Sequence, residues 1–87
     1  MAITVSNTPP PTVAKAVQVE IWLNNNGFPG GFENAAIVAA AAAAGAEAQI
    51  RLRKGELFYS DDDFLVAAAP SLGITDLRAT ISAAALL

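Results

Sequence analysis

Ala46-Glu-Ala-Gln-Ile-Arg-Leu-Arg-Lys-Gly-Glu-Leu-Phe-Tyr59 is the stretch whose reading decides the fold. Ala46, Ala48, Ile50 and Leu52 alternate with Glu47, Gln49, Arg51 and Arg53. A period of two predicts a strand with one buried and one wet face. Lys54-Gly55 breaks the pattern where a hairpin would turn, and residues 56–59 follow as a second, shorter strand. The same alternation recurs on both sides. In residues 14–23, Val17, Val19, Ile21 and Leu23 oppose Gln18, Glu20 and Trp22. Near the end, Leu77, Ala79, Ile81 and Ala83 oppose Asp76, Arg78, Thr80 and Ser82. Four strands are expected.

Two helices are expected between them. The first spans residues 34–44, almost entirely alanine, and stops at Gly45, a residue suited to a helix C-terminus. The second starts at Ser60 as N-cap, with Asp63 three positions on, and ends at Pro70. Asp61, Asp62 and Asp63 suit the positive end of that helix dipole. Consecutive helical positions diverge, so the three aspartates do not converge on a metal ion. The order strand, helix, strand, strand, helix, strand is the split β-α-β arrangement called ferredoxin-like. The expected fold class is therefore α+β, in two layers: a four-stranded antiparallel sheet with two helices on one face. Residues 1–12, with Pro9, Pro10 and Pro11, read as an arm, and residues 13–87 as a single domain.

Composition narrows the chemistry. The 87 residues include no Cys and no His, which removes disulfides, thiol chemistry, Cys/His zinc sites and histidine acid–base catalysis. Five Lys and Arg against eight Asp and Glu argue against nucleic acid as a partner. The uncharged internal runs 34–46 and 64–75 fall short of the roughly 18 to 20 residues that a bilayer span requires. The opening residues carry no pattern of a signal peptide, so the expected location is cytoplasmic or within an assembled particle.

The passage Ser71-Leu72-Gly73-Ile74, followed by Ala79-Thr80-Ile81-Ser82-Ala83, resembles the helix-to-last-strand passage of the histidine-containing phosphocarrier family, HPr. Asn26-Gly27-Phe28 falls where that family has its active loop. The resemblance implies an HPr-like fold. It does not carry over the activity, because Pro29-Gly30-Gly31-Phe32 stands where the family has its phosphorylated histidine and arginine. The family's third helix is also missing, and Ser60 lies nearest its regulatory serine. The resemblance thus points to a degenerate member acting as an adaptor or regulatory protein-binding module.

The residues themselves point to association. The loop of residues 24–33 holds Phe28 and Phe32 among glycines, which suits a contact loop. It lacks the Lys-Ser/Thr pair of a phosphate-binding loop, and Glu33 repels anions. The helix over 34–44 has alanine or small aliphatic groups on every face, so Ala40 and Ala42 between them sample its outward side. Trp22 sits on the wet face of its expected strand as an aromatic anchor. A core of this size gains stability by association. The function read from sequence is a non-catalytic subunit of a homo-oligomer or particle, virion-like in kind. It would associate through the Ala-rich helix, the Phe/Gly loop and the arm, with Trp22, Phe28, Phe32, Ala40 and Ala42 as contact residues. Neither cofactor nor metal is expected.

Overall fold

A computed structural model describes residues 10–87. The elements are β1 (Val13–Lys15), α1 (Ala16–Asn25), α2 (Ala35–Ala44), α3 (Ala46–Lys54), β2 (Leu57–Tyr59), α4 (Asp63–Ala68) and α5 (Leu77–Ala84). Short 3-10 turns at Gly31–Glu33 and Ala69–Leu72 precede α2 and follow α4. β1 and β2 form a two-stranded antiparallel ribbon with Val13 opposite Tyr59, Ala14 opposite Phe58 and Lys15 opposite Leu57.

The expected four-stranded sheet is therefore corrected to five helices and one short ribbon among the described residues. Residues 46–53 are helix α3, most of 14–23 is α1, and the expected last strand is α5. The physical reason lies in the pattern itself. An alternating apolar set always contains pairs four apart, and such pairs share one face of a helix. In α3, Ala48 and Leu52 are buried while Ile50, two positions from each, is 48% exposed. In α1, Val19 and Leu23 are buried while Val17 and Ile21 stand at the surface. Propensity decides the outcome. Ala, Glu, Gln, Arg, Leu and Lys, which make up all of α3 except Ile50, are strong helix formers. Glu47 in the first turn and Arg51, Arg53 and Lys54 in the last also complement the helix dipole.

Each helix contributes one narrow stripe to the core. The pairs are Val19/Leu23, Ile37/Ala41, Ala48/Leu52, Phe64/Ala68 and Ile81/Ala84, three or four residues apart in every case. Four of these pair a large side chain with an alanine, so neighbouring helices interdigitate at close range. The ribbon adds Ala14 and Phe58 from its inner face, and Phe58 is 1% exposed. Phe32 packs on the Phe58 ring with centroids 5.2 Å apart at 58°.

The helix ends follow from local chemistry. The Asn34 side chain accepts from Ala36 N–H at 2.9 Å and so caps α2. Gly45, at φ 117°, ends α2 and begins α3 within one residue, a conformation that other residues rarely adopt. The cap of α4 is Asp62, not Ser60: its Oδ1 accepts from Phe64 N–H at 2.9 Å and Leu65 N–H at 3.3 Å. Ser60 instead serves the ribbon, where its Oγ accepts from Thr12 N–H at 3.0 Å. The Asp76 side chain caps α5 through Ala79 N–H at 3.0 Å.

Of the expected arm, residues 1–9 lie outside the described residues. Pro10 and Thr12 are held against α5: Arg78 donates to Pro10 O, and the Thr12 hydroxyl donates to Arg78 O at 3.0 Å.

Candidate functional site

The loop between α1 and α2 is built by asparagine side chains. Asn24 Oδ1 accepts from Gly30 N–H at 3.2 Å, Asn26 Nδ2 donates to Trp22 O at 2.7 Å, and Asn34 Nδ2 donates to Pro29 O at 3.0 Å. Gly31 brings the loop against α1. Its φ is +61°, and a Cβ there would lie 2.9 Å from Glu20 Cβ and 3.1 Å from Glu20 O. This close approach turns Phe28 and Phe32 toward the core, where both are half-buried. Trp22 packs against the same core from α1. Ala40 is half-buried on the inner side of α2, whereas Ala42 is exposed on its outer side. The five residues singled out from sequence therefore do not gather at one place. Four pack against the core, and Ala42 alone faces outward.

Between α1, the first 3-10 turn, α2 and α3 lies an open groove of about 700 Å³. Ala16, Phe32, Val38, Ala41 and Leu52 contribute its apolar lining, and Glu20, Glu33, Gln49 and Arg53 its polar one. Its ionisable groups are the carboxylates of Glu20 and Glu33 and the guanidinium of Arg53. Among the described residues no group of His, Cys, Asp and Glu is placed to hold a metal ion. No single described helix is long and apolar enough to cross a membrane.

The surface that stands out is apolar. Ala42 lies on the outward side of α2, together with Ala35, Ala39 and Ala43, and Val38 is exposed at the rim of the groove. Val13, Leu57 and Tyr59 share the outward face of the ribbon, at 40%, 49% and 42% exposure. The reading from sequence missed the ribbon face. Its signal was present in Leu57-Phe58-Tyr59, where burial of the central residue forces the two flanking ones outward.

Comparison of the chain with protein-family models, curated proteins and solved structures gives no match. Nothing in these comparisons ties it to the phosphocarrier family.

Proposed function

We propose that this protein is a non-catalytic structural subunit that associates with copies of itself into an oligomer or particle. One observation carries the reading. Among the described residues seven apolar side chains larger than alanine are fully buried and six more pack half-buried against them, while ten large apolar side chains are exposed. Scattered apolar residues on a surface are ordinary. Here, among the described residues, they outnumber the large side chains that are fully buried. A domain of this size has little stability to spare, and covering such groups in an interface is a common remedy. The outward side of α2 supports the reading further. Small side chains let a second backbone approach closely, and no charged residue interrupts the helix.

The experiment is a mass measurement on the full chain. Sedimentation velocity over a concentration series is expected to show a defined oligomer or particle. A chain that stays monomeric at every accessible concentration overturns the proposal.

A further inference from the structure

Among the described residues one edge of the ribbon is unpaired, and charged residues flank it. Ala16 N–H donates to Glu56 O at 2.8 Å, and Ser60 N–H donates to Thr12 O at 2.9 Å. Paired residues in an antiparallel ladder alternate between hydrogen-bonded and non-hydrogen-bonded. Leu57 and Tyr59, opposite Lys15 and Val13, therefore occupy non-bonded positions, and their backbone groups point away from β1. Among the described residues these groups have one partner, the Asp62 N–H that donates to Tyr59 O at 3.1 Å. The N–H and C=O of Leu57 and the N–H of Tyr59 are left along the outer edge. Such an edge is a template for another strand.

The sequence around this edge is complementary to itself. Arg53, Lys54 and Glu56 precede β2, a net charge of +1; Asp61 and Asp63 follow it, a net charge of −2; all five are exposed. A two-fold axis through Phe58 sets Leu57 opposite Tyr59 and brings the end of β2 that follows Arg53 and Lys54 toward the end of its mate that precedes Asp61 and Asp63. The basic end of one strand then meets the acidic end of its mate, and the contact occurs twice. Parallel self-pairing in register would bring the two basic ends together and the two acidic ends together. Across the antiparallel join, Leu57 lies beside Tyr59 of the second copy on the outward face, an aliphatic–aromatic pair of the kind that stabilises sheets.

We infer that the outer edge of β2 pairs antiparallel with β2 of a second copy, centred on Phe58 and steered by the basic end that carries Lys54 against the acidic end that carries Asp61. The occupant is a second copy, because the charge order reads the same from both sides of the axis. The inference rests on the assembly reading above and locates one of its contacts.

Two measurements test it. The first follows amide hydrogen exchange of the full wild-type chain at rising concentration. The Leu57 and Tyr59 amides are expected to gain protection as association proceeds. Protection that is constant with concentration would mean that the chain covers this edge itself, and would overturn the inference. So would unprotected amides in an associated sample. The second uses charge reversal. Lys54→Glu alone and Asp61→Lys alone should each self-associate at least about tenfold more weakly, since like charges then face each other. An equimolar mixture of the two variants should associate again, as should a chain carrying both changes. A wild type that associates but ignores these reversals refutes the β2 contact and leaves the assembly proposal standing. A wild type that never associates refutes both.

Discussion

Arg51 on α3 forms an ion pair with Asp62, the residue that caps α4. One carboxylate oxygen takes the guanidinium while the other takes the N–H groups of Phe64 and Leu65. The two ends of the pair differ in setting. The Asp62 side chain is 2% exposed and that of Arg51 is 46% exposed. Asp62 thus fixes where α4 begins and how it sits against α3.

Asp62→Ala removes the cap and the ion pair together. Losing an N-cap costs about 0.5–2 kcal/mol, and the lost pair adds to it. Arg51→Ala leaves both cap hydrogen bonds in place, so the buried carboxylate keeps two of its three partners. Urea denaturation should therefore rank Asp62→Ala as clearly the more damaging change. Equal losses would mean that the pair, not the cap, organises this corner.

Gly31 and Gly30 both have positive φ, but only Gly31 lies against Glu20. A left-handed conformation costs a residue with a Cβ roughly 1–2 kcal/mol. Gly30→Ala should lose about that much, since the nearest atom to its new Cβ is Asn34 N at 3.8 Å. Gly31→Ala carries the same strain plus a clash with the backbone of α1, and overpacking of this kind adds about 1–3 kcal/mol. Comparable thermal stabilities for the two variants would disprove the close approach of loop to helix.

The part of the fold legible in the sequence is the part that breakers and caps define. Gly45 ends α2 as expected from its chemistry, and the short strand at residues 56–59 appears as β2 at Leu57–Tyr59. The other strands were lost to a real ambiguity. Over eight residues an alternating pattern and an i, i+4 pattern share half their positions, so periodicity alone does not separate them. The alanine, glutamate and arginine content of residues 46–54 carried the deciding information through helix propensity. The contact residues were less legible. Whether Phe28 and Phe32 face water depends on the tight passage at Gly31, which brings residues 20 and 31 together. No local pattern reports such a tertiary contact.

Ser60 gives a prediction that separates two roles. As an N-cap it would protect the first turn of α4. In its observed place it accepts from Thr12 N–H and joins the chain before β1 to the end of β2. Ser60→Ala should cost about 0.5–1.5 kcal/mol, the usual value of one hydrogen bond. Amide exchange should quicken at Thr12 and stay unchanged at Phe64 and Leu65. Faster exchange at Phe64 and Leu65 with Thr12 unaffected would return Ser60 to the helix cap.

Ala40 and Ala42 lie two positions apart on α2, about 200° around the helix. Ala40 packs against the core, and Ala42 is exposed. The two glutamate variants should therefore fail in different ways. Ala40→Glu forces a carboxylate toward the core stripe of Ile37 and Ala41, and several kcal/mol of stability should be lost. Ala42→Glu places the same group in water, so the stability of the isolated chain should change by about 0.5 kcal/mol or less. Its effect should appear in mass instead. If the outward side of α2 meets another subunit, an unpaired carboxylate there is costly to bury. The variant should then keep its helical circular dichroism while its mass by light scattering falls below that of the wild type. A folded Ala42→Glu chain with wild-type mass would remove α2 from the interface. Association would then have to run through the ribbon, where the hydrogen-exchange and charge-reversal measurements on β2 decide the matter.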